Sequence, residues 1–252
     1  MAKIRKPFQG VFNIVRFNWH FYVISLAFLL LVAIFYSFLN EPFRLFSAIL
    51  FFGIILTNLI TLVVSFYVYD LSDLYKFGWL SEWPDDAAIV NINAGFDETS
   101  ELLKEKFKNS QLTVFDFYDP AKHTEVSIKR ARKAYPPYPN TQKITTTRLP
   151  LADNSADKVF AILSAHEIRN EEERKLFFTE IERALKPDGQ IIVTEHLRDP
   201  ANFLAYNIGF FHFQSKHSWL KTFDSSGLKV KKEIKITPFI TTFILEKNGN
   251  SS

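Results

Sequence analysis

In this chain of 252 residues, 30 Lys and Arg stand against 27 Asp and Glu, and the resulting formal charge of +3 is too small to mark a nucleic-acid partner. No cysteine is present, which excludes disulfides and thiolate metal sites and is compatible with a reducing compartment. The 47% hydrophobic content is ordinary, but its distribution is not: apolar residues crowd in before Asp70 and charges follow it.

Residues 1–20 form a basic segment, with Lys3, Arg5, Lys6 and Arg16 and no acid before Glu41. Residues 21–39 then run without a charge, roughly 28 Å as a helix, close to the hydrocarbon thickness of a bilayer. A second uncharged run covers 45–69, and the link Asn40-Glu41-Pro42-Phe43-Arg44 reads as a tight turn. Together 21–69 are expected to form a transmembrane helical hairpin. A cleaved signal peptide fits poorly, because its apolar region is shorter (about 7–15 residues) and ends in small residues, whereas this run ends Phe-Leu-Asn. Two buried core helices fit poorly too. Neither run has a polar face beyond Thr57, Asn58 and Thr61, which suit helix–helix hydrogen bonding in lipid. Lysine and arginine bias puts the N-terminal end in the cytoplasm, and two spans return the chain there. The expected location is the cell (inner) membrane, multi-pass, with both termini and the large domain cytoplasmic. Phe12, Phe17, Trp19 and Tyr22 cluster as interface anchors do.

Residues 70–86 link hairpin to domain. Leu71, Leu74, Phe77 and Leu80 recur at helical spacing beside Tyr75, Trp79 and Trp83, with Pro84 as the stop. Two readings stay open: an interfacial helix along the bilayer, or a helix packed on the domain.

From Ala87 strand and helix patterns alternate. Strands are predicted at 87–93, 111–117, 143–147, 157–163, 190–195, 228–236 and 239–246, and helices at 98–109, 123–134 (basic), 170–185 and 217–226. This is an α/β pattern of seven strands in a mostly parallel sheet with helices on both faces. The last two strands, joined around Thr237-Pro238, should be antiparallel to each other. Ligands of such sheets bind outside the carboxyl ends of the strands. A short polar tail, 248–252, ends the chain.

One stretch carries several fixed spacings. Leu149-Pro150-Leu151-Ala152-Asp153-Asn154-Ser155-Ala156-Asp157 leads through a strand into Ser164-Ala165-His166-Glu167-Ile168-Arg169. A helix then ends Leu185-Lys186-Pro187-Asp188-Gly189 before Ile191-Ile192-Val193. This resembles the second half of class I S-adenosylmethionine-dependent methyltransferases, of the kind that methylate quinones and other small lipophilic molecules. The resemblance covers about 87–247. It implies a Rossmann-like sheet, S-adenosylmethionine as cofactor, and a hydrophobic small-molecule acceptor delivered from the bilayer.

By the same resemblance the cofactor residues are Asn91, Asn93, Ala94, Gly95, Asp116, Phe117 and Ser164. Gly95 matches the middle glycine of the family's acid-then-Gly-x-Gly-x-Gly pattern, and Asp116 the ribose-binding carboxylate. The chain departs from the pattern at three places: Asn91 stands at the acid, Asn93 at the first glycine and Asp97 at the third. Asp97 also reads as a helix N-cap. Near the adenine position the chain has Thr145, Thr146 and Thr147 instead of an acid.

Residues after the fourth strand stand beside the reacting methyl group in this fold. His166 is the candidate base, with Glu167 and Arg169 positioning the acceptor, and His196 after the fifth strand is a second candidate. Residues 202–219, with His212 and His217, are strongly aromatic and read either as an acceptor cover or as packing. The six histidines show no metal spacing, so no metal is expected. The competing function is a scaffold, a methyltransferase fold without turnover; a homo-oligomer stays open.

Overall fold

The computed structural model describes residues 5–80 and 85–249. Lys3, Trp83, Pro84 and the end of the tail lie outside the described residues.

Two long helices come first, α1 (Gln9–Tyr36) and α2 (Phe43–Phe66), the latter running on through a π-helical turn at Tyr67–Leu71. Both are long and apolar enough to cross a membrane. α1 starts well before the uncharged run because its first turns have a surface to lie on. Gly10, Asn13 and Phe17 are buried there, whereas Phe21, Ile24, Leu30 and Phe35 are exposed. The change comes at a kink: Asn18 has φ −114° and ψ 18°, and its side-chain amide donates back to Ile14 O at 3.1 Å. A side-chain insertion into the helix ladder is a recognised cause of such bends. Of the polar cluster, Asn58 bonds across the hairpin, its Nδ2 donating to Ser25 Oγ at 2.9 Å, whereas Thr57 bonds back within α2 and Thr61 reaches Ala205 O.

At the end nearest the domain the hairpin is closed by Asp70. Its two carboxylate oxygens accept from Gly10 N (2.7 Å) and Val11 N (2.9 Å), the free backbone donors of α1's first turn. Gly10 makes this approach possible, since a Cβ there would fall 2.3 Å from Tyr69 Cβ.

The expectation of a helix here is corrected over 72–80, and its last part lies outside the described residues. Residues 72–80 form turns, and Leu74, Phe77 and Leu80 are buried at 0%, 1% and 5% exposure. Phe77 and Leu80 pack with Ile89, Phe107 and Phe160, and Leu74 packs with Val68 and Ile240. Apolar residues at helical spacing are here buried by compact turns, with Phe77 at φ 54° reversing the chain.

The domain is a seven-stranded sheet in the order β3-β2-β1-β4-β5-β7-β6. Its strands are β1 (Ala88–Asn93), β2 (Gln111–Asp116), β3 (Gln142–Lys143), β4 (Ala156–Ile162), β5 (Leu185–Glu195), β6 (Leu228–Thr237) and β7 (Ile240–Lys247). The sheet is mixed, not mostly parallel. β1 to β5 run parallel, but β7 is antiparallel to both β5 and β6. The reason is the short link at Pro238-Phe239, which forces β6 and β7 into a hairpin and turns β7 against β5. Helices α3 (Ser100–Lys106), α4 (Val126–Ala134), α5 (Glu171–Ala184), α6 (Pro200–Tyr206) and α7 (Lys216–Ser225) complete the fold. α6 and the 3-10 turn Asn207–His212 fall in the aromatic stretch, which patterning left unassigned. One core packs Val159, Ala161, Ile191 and Val193 of the central strands against Phe177, Phe178 and Ile181 of α5 and Trp219 and Phe223 of α7. Strand order reverses between β1 and β4, which opens a crevice at the carboxyl edge.

Asp70→Ala removes both acceptors from α1's first turn, and unfolding in detergent should show a loss of about 1–2 kcal/mol. An unchanged melting temperature would mean water satisfies those donors equally well.

Candidate active site

The carboxyl ends of β1, β2, β4 and β5 carry the site. At β1, Asn91 is buried and donates from Nδ2 to Thr99 Oγ1 (2.9 Å) and Ser100 Oγ (2.8 Å), while its Oδ1 is buried without a hydrogen-bond partner. Asp97 Oδ1 accepts from Thr99 N and Ser100 N, both at 2.9 Å, from two positions before the N-cap residue of α3, which is Thr99 and not Asp97. Asn93 Oδ1 accepts from Gly95 N at 3.0 Å and shapes the turn. Gly95 has φ +95°, and a Cβ there would meet Arg132 Nη1 at 2.5 Å and Tyr118 Cβ at 2.9 Å. Only glycine meets both demands. Ala94 is buried in the core behind it.

At β2, Asp116 is 4% exposed. Its Oδ1 accepts from Tyr118 N at 2.8 Å, and its Oδ2 pairs with Arg132 Nη1 at 2.7 Å. The Arg132 guanidinium lies over the Tyr118 ring at 4.2 Å and against Gly95. Phe117 is buried in the core, ring to ring with Phe177 and His123. Ser164 Oγ donates to Ile92 O at 2.9 Å, tying the ends of β4 and β1.

α1 covers this crevice. Phe17 meets Phe96 edge-on at 5.6 Å and Tyr135 at 6.2 Å. Glu98, beside the glycine turn, accepts from Arg5 Nη1 (2.8 Å), Asn13 Nδ2 (3.2 Å) and Gln9 Nε2 (3.4 Å), and its other oxygen accepts from Tyr75 OH (3.0 Å). From α4, Arg130 donates to Phe17 O at 2.6 Å.

At β4 and β5 stands a cluster of imidazoles and carboxylates. His166 Nδ1 is 2.6 Å from Oε2 of Glu195, which is fully buried, and His166 N donates to the other oxygen at 3.2 Å. Burial pushes the His166 pKa down, but the facing Glu195 and Glu167 carboxylates outweigh it and hold it well above the usual imidazole value. Burial likewise acts to raise Glu167, but the facing imidazoles of His166 and His212 overcome it, leaving Glu167 well below the ordinary carboxylate range. Arg169 is exposed and pairs with Glu125, with His212 Nδ1 2.8 Å away. His212 was legible only as part of the aromatic stretch.

His196 stands apart from this cluster. Asn202 donates from Nδ2 to Asp199 Oδ1 and Phe239 O, both at 3.2 Å, so its Oδ1 accepts from His196 Nδ1 at 3.0 Å. His196 Nε2 then accepts from Tyr69 OH at 2.8 Å. With both nitrogens engaged inside the protein and 4% exposure, His196 joins the hairpin's end to β5 and is not poised as a base. Burial, eased in part by Asn202, pushes its pKa down to about 4.

Residues 90–193 match the family model of a methyltransferase domain. That segment is similar to methyltransferase domains. The match leaves the hairpin and the β6–β7 pair outside it. Among curated proteins, none matches the sequence. Among solved structures, an S-adenosylmethionine-dependent methyltransferase from Aquifex aeolicus is similar, with a TM-score of 0.51 at 14% identity over 75% of this chain and 97% of that one. A mitomycin 7-O-methyltransferase is similar with a TM-score of 0.55 at 13% identity, over 97% of this chain and 74% of that one. At such identities the likeness is one of fold. The match to a methyltransferase domain supports S-adenosylmethionine as the cofactor. The residues fit such a group: a glycine turn that admits close backbone approach, a carboxylate at the end of β2, and an unpartnered acceptor at Asn91.

An imidazole held neutral in the fold has a definite pH signature. The unfolded chain takes up a proton at His196 as pH falls through about 6.5, whereas the folded protein resists until about 4. His196 therefore contributes full stability above pH 6.5, and about 3 kcal/mol is lost as pH falls through that window. Denaturation between pH 7 and 4 should show this slope in the wild type and a shallower one in His196→Gln. Equal slopes would remove the assignment.

Proposed function

We propose that the protein is a membrane-anchored S-adenosylmethionine-dependent methyltransferase whose acceptor is a hydrophobic molecule drawn from the bilayer, quinone-, isoprenoid- or lipid-like. One observation carries the reading: α1 is both the cover of the cofactor crevice and, beyond Asn18, an uncovered apolar helix. A molecule that leaves the bilayer beside this helix has a short path to the crevice. Phe203, Leu204, Ile208 and Phe211 add an exposed apolar surface on α6 and the turn after it, and Thr61 of α2 ties α6 to the hairpin by donating to Ala205 O at 2.7 Å. Exposed apolar groups so grouped mark a contact surface. On this reading the protein lies in the cell membrane with the domain on the cytoplasmic face.

In the proposed site Asn91, Asn93, Ala94 and Gly95 cradle the amino-acid end of the cofactor and Asp116 takes the ribose hydroxyls. When bound, the cofactor supplies a methyl group on an electrophilic sulfonium. Displacement at that carbon needs alignment above all, and the rigid turn after β4 supplies it. The buried Glu195 fixes His166 beside Glu167, and these carboxylates keep the imidazole protonated, so His166 serves to orient the acceptor rather than to take its proton.

One observation favours the scaffold reading. Arg132 occupies the face of Gly95 and neutralises Asp116, so the crevice is held in a state where the ribose carboxylate is already paired. Calorimetry of the full chain in detergent separates the two. S-adenosylmethionine should bind the wild type, bind Asp116→Ala at least tenfold more weakly, and bind Arg132→Ala about fivefold more tightly, because about 1 kcal/mol of ion pair no longer competes. Binding to neither the wild type nor Arg132→Ala would leave the scaffold reading standing.

A further inference from the structure

The turn Asn207–His212 brings His212 back to the end of β4. There the Nε2 atoms of His166 and His212 face the same oxygen of Glu167, at 3.5 and 3.4 Å. Both separations exceed the roughly 2.7–2.9 Å of a charge-assisted hydrogen bond. They match instead the edge of a tetrahedron whose corners lie about 2.0–2.1 Å from a central cation, an edge of about 3.4 Å.

The remaining nitrogens of both imidazoles are held by carboxylates. His166 Nδ1 is 2.6 Å from Glu195 Oε2, and His212 Nδ1 is 3.1 Å from Glu125 Oε1. Metal-binding histidines are oriented in just this manner, the outer carboxylate fixing the proton on the far nitrogen and leaving the near one free to coordinate. Arg169, which can only donate, also lies 2.8 Å from His212 Nδ1 and pairs with Glu125, so a cation taking Nε2 displaces that contact and leaves Nδ1 donating to Glu125.

We propose that His166 Nε2, Glu167 Oε1 and His212 Nε2 form a site for a divalent first-row transition cation, zinc being the best match to two imidazoles and one carboxylate. All three ligand atoms already lie within 4.8 Å of one another, and a modest inward movement of His212, carried on a partly exposed turn, completes the set. Three protein ligands leave a fourth position open, as in catalytic rather than structural zinc sites. The position adjoins the acceptor side of the crevice. Taken with the proposed methyl transfer, on which this last point alone rests, a cation there would bind an acceptor oxygen and lower its pKa. No spacing in the sequence announces the site, because Glu167 and His212 belong to different elements.

The test uses the tag-free full chain in detergent, stripped with a chelator and equilibrated with Zn²⁺ alone. The wild type should retain one zinc per chain after dialysis. His212→Ala and Glu167→Gln should each weaken binding at least 100-fold, and Glu125→Gln about tenfold, with unchanged far-ultraviolet circular dichroism. No zinc retained by the wild type, or equal zinc retained by a folded His212→Ala, would overturn the site. The readout involves neither S-adenosylmethionine nor activity, so it can fail while the cofactor assignment stands, and the reverse.

Discussion

Two carboxylates make the seam on which the molecule depends. Asp70 accepts from the first backbone donors of α1, and Glu98 gathers Arg5, Gln9, Asn13 and Tyr75 beside the glycine turn. Helix starts carry unpaired N–H groups and a partial positive charge, so an acid placed there both satisfies donors and meets favourable potential. The consequence is geometric. The first half of α1 cannot swing free; it lies along the domain, and the kink at Asn18 sends the second half away as an apolar rod. Crevice cover and exposed apolar rod are thus one helix.

This coupling ties the hairpin to the strand ends of the domain. Phe17 packs on Phe96, next to Gly95, and Tyr69 at the far end of the hairpin holds His196 in its neutral state at the end of β5. Any tilt of the helices is felt at two strand ends that frame the site. The crevice itself is held by polar groups of opposed sign, Asp116 with Arg132 on one side and the Glu195–His166 pair on the other.

Much of this architecture is legible in the sequence, for identifiable reasons. Hydrophobic length marks the hairpin, and short apolar runs between turn residues mark the strands. Asp116 and Gly95 are readable because a fixed local spacing ties them to strand ends. What escapes is everything that depends on distant contacts. Arg5 reads as an orientation charge, yet it is spent on Glu98. Arg132 reads as one charge among several on a basic helix, yet it lies on Gly95. Phe117 follows Asp116 and so resembles a crevice residue, but strand alternation turns it into the core. The apolar spacing of 71–80 mimics a helix because turns can bury the same residues. His196 looks like a free base until Asn202 and Tyr69 are seen to take both its nitrogens.

The central claim is that the crevice serves an acceptor held in the membrane. It is tested most directly by incubating the full chain, reconstituted in vesicles of its host's lipid extract, with S-adenosylmethionine labelled in the methyl group. The account predicts that label moves into the organic-solvent extract as a discrete species. Label that stays wholly in the aqueous phase, or appears only on protein, would contradict it.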